Sequence, residues 1–262
     1  MTGRRNLSIA LAVIAFRCGV GAPADDAPLR DRNNDVAPCV QQWQPVGAGI
    51  DYRTLNCTAD RNLHLVRLDP KRAELGAVIH SGGTAAGVAQ SGGWTLAMNA
   101  NFFGHEFEPL GEVISGGAEL HRMQAVKWES IFYVTARGRA GIVLPETWSG
   151  VRKTAEVALQ AGPRIVVDGA MMRVKPGLPD WRSGVCIDAQ HQVIAFVTPQ
   201  SSQFTPQQIA AIAASDLRCA DAMLFDGGPS AQLFIASTPP VSVEGDKSVP
   251  VFFTARQRSV NH

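Results

Sequence analysis

Short apolar runs recur along the middle of the chain, each closed by glycine, proline, asparagine, aspartate or serine. Runs of that length between turn residues predict strands. They fall at 63–68, 75–80, 94–98, 131–135, 141–144, 157–160, 164–167, 185–188 and 193–198. One segment switches to helical spacing: Ile209, Ile212, Ala213 and Leu217 share a face, Thr205 stands at an N-cap position and Pro206 at the first helical position. A weaker helical pattern occupies 85–91. After the stronger helix, the run 222–225 reads as a buried strand ending on the polar turn Asp226-Gly227-Gly228.

Residues 25–45 are rich in Pro, Asp, Asn and Arg without apolar periodicity and predict a flexible lead-in, so the folded domain is placed at 46–262. With 45% hydrophobic and 18% charged residues the chain can fill one large core, which excludes a disordered or collagen-like protein. No internal repeat or low-complexity tract divides it.

Residues 1–24 read as a secretory signal. Arg4 and Arg5 form the basic region, an apolar run follows over 7–16, and Ala22-Pro23-Ala24 is a cleavage site of the A-x-A kind. The run is about half of the ~20 residues a bilayer span needs, so no membrane span is expected after its removal. The signal holds three arginines, Arg4, Arg5 and Arg17, and no acid, so its loss takes the formal charge from +1 to −2. No basic field is left to attract nucleic acid. The reading is an exported protein, periplasmic or secreted.

Four cysteines remain after the signal, and four allow three pairings. Cys39 with Cys57 would close a short N-terminal loop. Cys186 with Cys219 would join strands expected to be neighbours. No C-x-x-C or H-x-x-x-H spacing marks a metal site. Asp226, Asn99 and Glu112 carry oxygens suited to a divalent cation, but their spacing demands none, and no cofactor is expected.

Four segments place polar groups at strand ends, where a rigid scaffold can present them to a cleft. The run 94–98 leads into Asn99, Asn101, two phenylalanines and Gly104; the asparagines could equally satisfy local turns. His105, Glu106 and Glu108 after them read as solvated loop charges. Gln160 precedes a Gly-Pro turn, which serves equally well as a plain connector. Trp181 and Arg182 precede the strand at 185–188; the guanidinium suits a phosphate or a surface ion pair, and the indole suits a sugar ring or the core. Asp226, with Gly227, Gly228 and Ser230, is the strongest: a carboxylate ending a buried strand can serve as nucleophile or base. A tight Asp-Gly hairpin onto 232–235 competes with that reading.

In this order the pieces MNANFFG, EFEPLGEVISGG, LQAGPRIVVDG, RSGVCID and AMLFDGGPS resemble the phosphodiester glycosidase family, most closely its short exported bacterial members. The resemblance implies an α+β single domain with a mixed, curved β-sheet and a few packed helices. It also implies one pocket with Asp226, Arg182, Asn99 and Gln160 as catalytic residues, and Asn101, Gly227, Gly228, Ser230 and Trp181 binding a carbohydrate or sugar-phosphate substrate. Three positions depart from the family pattern: Glu112 where an apolar residue is usual, Cys186 where glycine is common, and Pro229 in place of a third glycine. The implied reaction is hydrolysis of the glycosidic bond of a sugar-1-phosphodiester or related envelope glycan. A catalytically silent envelope protein that binds glycan or protein, and a hydrolase of another envelope bond, stay open beside it.

Overall fold

A computed structural model describes residues 39–40, 42–58, 61–126 and 129–258, with the side chains of residues 39, 40, 57 and 58 outside that description. The signal at 1–24, most of the lead-in and the Cys39–Cys57 pairing therefore lie outside the described residues. Among the described residues strand pairing begins at β1 (Cys39–Val40), inside the segment read as a lead-in, and β2 (Gln44–Gly47), which straddles its end.

Three antiparallel sheets build the protein. In the largest, β2 and β1 both pair with β3 (Ile50–Thr58), which continues through β4 (Arg61–Leu68), β15 (Val193–Val197), β14 (Ser183–Asp188), β16 (Cys219–Leu224), β12 (Arg164–Val167) and β13 (Ala170–Met171). The second runs in the order β10 (Ala140–Val143), β9 (Ser130–Thr135), β11 (Ala155–Ala161), β7 (Val113–Ser115) and β8 (Ala118–His121). The third is β18 (Val241–Val243), β17 (Leu233–Ile235), β6 (Leu96–Asn99), β19 (Val249–Gln257) and β5 (Ala73–Gly83).

Each of the apolar runs read as a strand overlaps one of these strands. The single mixed sheet is a correction. Among the described residues all strand pairs are antiparallel and they form three sheets. A parallel pair needs a crossover of a dozen or more residues, usually a helix. Here the helices are short and few: α1 (Ala85–Gly92), capped by Thr84, and α2 (Pro206–Ala211), which opens on a Thr205 capping box and runs into a π turn at Ile212–Asp216. The protein is predominantly β, with the predicted helices as minor elements. No helix among the described residues is long and apolar enough to cross a membrane.

The main core draws on all three sheets: Val185 and Met223 from the first, Phe132 and Leu159 from the second, Met98 and Phe253 from the third. Phe132 and Phe253 meet edge to face at 5.5 Å, locking the second sheet to the third. A second cluster lies between the first sheet and α2, where Ile209, Ala210 and Ala213 pack on Cys186, Phe196 and Leu224. The Cys186–Cys219 disulfide sits in this layer, joining β14 to β16 with Cα atoms 5.7 Å apart. It closes a loop with a sequence separation of 33. Removing it by Cys186→Ala with Cys219→Ala should lower unfolding free energy by about 3–4 kcal/mol in denaturant titration.

Candidate active site

The strand ends carrying the motif residues meet where the three sheets adjoin. Backbone hydrogen bonds stitch them together: Asp226 N–H donates to the Ala100 carbonyl at 2.9 Å, Phe225 N–H to Ser183 at 2.8 Å, and Leu224 N–H to Pro163 at 3.0 Å. The Asp-Gly hairpin reading fails, because β16 and β17 belong to different sheets and residues Gly228–Ser230 form a 3-10 turn between them.

Asp226 opens onto a cleft of about 930 Å³ whose lining includes Phe102, Phe103, His105, Phe107, Ser230 and Lys247. Burial pushes its carboxyl up from 3.8 to about 6, against the opposing pull of a hydrogen bond from Ser230 and the Lys247 charge. Desolvation therefore outweighs both local partners. The result is a carboxyl group that changes state near neutral pH, facing a wall of aromatic rings.

Asn99 stands directly behind Asp226, fully buried. Its amide nitrogen donates to the Asp226 carbonyl and, at 3.1 Å, to Ser183 Oγ, while its oxygen accepts from Gln232 N–H at 3.1 Å. Ser183 Oγ donates in turn to the Asp226 carbonyl at 2.9 Å. Asn99 thus braces the Asp226 backbone across two sheets rather than reaching into the cleft. Ser183 and Gln232 share this task, although sequence reading singled out neither. Gln232 was hidden because its bonds run to residues remote in sequence, including Ala85 N–H at 2.7 Å and the Lys247 carbonyl at 3.0 Å.

Gln160 and Asn101 form a second buried layer. Gln160 Oε1 accepts from Glu112 N–H at 2.9 Å and Gln124 N–H at 3.0 Å, and its Nε2 donates to the Gln124 carbonyl. Asn101 Nδ2 donates to the Glu112 carbonyl at 3.0 Å. Both side chains hold the loop that begins at Gly111. Glu112 itself is buried, accepting from Trp148 Nε1 at 3.1 Å and pairing with Arg152 at 3.1 Å. The buried carboxylate is received by an indole N–H and a guanidinium. Glu112→Ala strands both donors and should cost about 2–3 kcal/mol in thermal or denaturant unfolding, less than a fully buried pair because Arg152 is 37% exposed.

Arg182 is not among the residues lining the Asp226 cleft. Its Nε donates to the Phe204 carbonyl at 2.9 Å and its Nη2 to Leu178 at 2.7 Å. Burial lowers its pKa, partly offset by the Asp180 charge. Trp181 is also absent from the cleft lining; its indole N–H donates to the Gln200 carbonyl at 2.8 Å, and its own carbonyl accepts from Gly228 N–H at 2.8 Å. Gly228 adopts φ +57, and a Cβ there would lie 3.1 Å from the Asp180 carboxylate. A Cβ on Gly104 would meet the Glu108 carboxylate, the movable end of an exposed side chain. The loop charges divide: His105 lines the cleft, while Glu108 accepts from Glu106 N–H at 3.0 Å.

A separate cavity of about 670 Å³ is lined by Glu74, Trp94, Glu156 and Arg256 among others and contains none of the strand-end polar residues. Arg256 lies over the Trp94 ring at 4.4 Å and pairs with Glu74 at 2.7 Å, so its main groups are matched internally. No cluster of three or more His, Cys, Asp or Glu side chains among the described residues is arranged to hold a metal.

Solved structures of similar fold include these two. One is the zebrafish N-acetylglucosamine-1-phosphodiester alpha-N-acetylglucosaminidase catalytic domain auto-inhibited by pro-peptide (TM-score 0.60, 16% identity, covering 82% of this chain and 85% of that one). The other is a hypothetical protein from Synechocystis (TM-score 0.57, 13% identity, covering 84% of this chain). This chain spans 64% of the Synechocystis protein's length. No curated protein matches the sequence. At these identities the structural likeness speaks for the fold alone. The sequence match is independent of it: the family model for phosphodiester glycosidase covers residues 92–261, which include the strand ends and the Asp226 cleft described above, and this chain belongs to that family.

Proposed function

We propose that the protein is an exported hydrolase that cleaves the glycosidic bond of a sugar-1-phosphodiester or a related envelope glycan, with residues 46–262 as the glycosidase-like domain. The observation that carries this reading is the Asp226 carboxyl, pushed to about 6 by burial at the edge of an aromatic-lined cleft. Water attacks the anomeric carbon and gives its proton to Asp226, while the bond from that carbon to the phosphate oxygen breaks and a phosphomonoester leaves. A phosphodiester oxygen is a good leaving group, so the general acid of the usual two-carboxylate scheme is less needed. Phe102, Phe103 and Phe107 offer apolar faces for the sugar ring. Asn99 and Ser183 fix the backbone of Asp226, Gln160 and Asn101 support the layer behind it, and Arg182 steadies the approach to the Gly227–Gly228 turn. All five are positioning residues in this scheme.

Export is supported by the basic and apolar N-terminal pattern and by the Cys186–Cys219 disulfide, which belongs in an oxidising compartment. Intact mass of secreted or periplasmic material should place the mature N-terminus at Asp25.

The deciding assay incubates the mature protein with a panel of sugar-1-phosphodiesters and measures reducing sugar, with Asp226→Asn as control. Release by wild type alone supports the reading. Sugar phosphate in place of reducing sugar would mean phosphorus–oxygen cleavage, and glycan binding without product would favour a silent binding protein.

A further inference from the structure

We propose that Lys247 is the cation that receives the substrate's phosphate in the Asp226 cleft, and that Pro229 sets its position; this rests on the phosphodiester reading above. Sequence reasoning gave the phosphate to Arg182. Two of that residue's donor groups are committed to the Phe204 and Leu178 carbonyls, and it does not line the cleft. Lys247 does line it, is exposed, and lies near enough to influence Asp226 electrostatically.

The segment bearing Lys247 is held firmly for an exposed turn. The Pro229 carbonyl accepts both Asp246 N–H at 2.8 Å and Lys247 N–H at 3.1 Å. Gln232 Nε2 donates to the Lys247 carbonyl at 3.0 Å, and Gln200 Nε2 donates to Asp246 Oδ1 at 2.6 Å. Pro229 follows Asp226 by three positions, so the turn that delivers the carboxylate also anchors the backbone from which the Lys247 side chain extends. A proline there fixes its own φ, and its lost N–H costs nothing in this arrangement because the working atom is the carbonyl. The departure from a third glycine then acquires a purpose: it couples the placement of acid and cation. An ammonium carried on a held backbone segment at the cleft that also holds the carboxylate suits a substrate whose anion must be bound while the adjoining carbon–oxygen bond breaks.

The test measures binding of inorganic phosphate to the mature protein by calorimetry, and hydrolysis of a sugar-1-phosphodiester beside an uncharged aryl glycoside of the same sugar. Measured on the pH plateau, Lys247→Gln should weaken phosphate binding about tenfold and raise KM for the phosphodiester by a similar factor, with a far smaller change in KM for the aryl glycoside. Lys247→Arg should restore binding to within about threefold. Pro229→Gly should weaken phosphate binding about threefold through a looser turn. Lys247→Gln should also move the acid limb of the pH profile upward, since the lysine charge favours ionised Asp226. Phosphate binding that is absent in wild type or unchanged in Lys247→Gln overturns the proposal, even if the phosphodiester is hydrolysed. Lysine-dependent phosphate binding without any hydrolysis would instead sink the glycosidase reading and leave this site standing.

Discussion

Asp226→Asn should abolish turnover while making the protein more stable at neutral pH. The activity loss is expected at about 10³-fold, the scale of removing a positioned base, with substrate binding retained. The stability gain follows from linkage. The folded protein holds the Asp226 proton up to about 6, whereas an unfolded aspartate releases it near 3.8. Between those values the native state binds more protons, so stability falls as pH rises. Below both values the group contributes nothing; above about 6 it imposes its full cost, at most about 3 kcal/mol for a shift of this size. Asparagine cannot ionise and escapes that cost. Thermal melts should therefore show the variant above wild type by about 1–3 kcal/mol at pH 7.5 and level with it at pH 3.5. In the wild type, kcat/KM should rise tenfold per pH unit up to about 6 and then level off, as a base requires. An activity that falls above 6 would make Asp226 an acid instead.

Much of this architecture was legible in sequence, and the gaps have physical causes. The strands read correctly are those with continuous apolar runs buried on both faces, such as β14 and β15. The strand β3 was missed because Ile50-Asp51-Tyr52-Arg53-Thr54 mixes polar and apolar residues, with most of its described side chains only half-buried. The strand β19 was not read either; its Pro250 sits where the register with β5 shifts between Val249 and Val251, an irregularity that tolerates a residue without an N–H. The number of sheets was not legible, since nothing in a run such as 222–225 states which sheet it joins. At the site, the sequence marked segments that the structure brings together but not the bonds their side chains make. Asn99, Gln160 and Arg182 looked like ligand-facing groups because they are polar residues at strand ends. Their partners are carbonyls and N–H groups from remote segments, which no local pattern exposes.

Those bonds yield the largest structural effect to be expected, at Asn99. Its side chain satisfies the Asp226 carbonyl, Ser183 Oγ and Gln232 N–H, tying the third sheet to the first immediately behind the carboxylate. Asn99→Leu is close in size but removes the partner of each group in a fully buried place. Each unsatisfied group costs about 1–3 kcal/mol, and Ser183 retains one bond to the Asp226 carbonyl, so a loss of about 4–5 kcal/mol is expected in denaturant unfolding. Asn99→Asp separates bracing from shape. It keeps the acceptor for Gln232 N–H but turns an oxygen toward the Asp226 carbonyl in place of the amide N–H, so it should lose nearly as much stability as leucine at pH 7. It should recover part of that loss at low pH, where a protonated carboxyl can donate again. A residue that contacted only sugar would behave otherwise, with Asn99→Asp and Asn99→Leu raising KM and leaving the unfolding midpoint where it was. Stability and KM measured on the same two variants therefore decide whether Asn99 holds the substrate or holds the residue that acts on it.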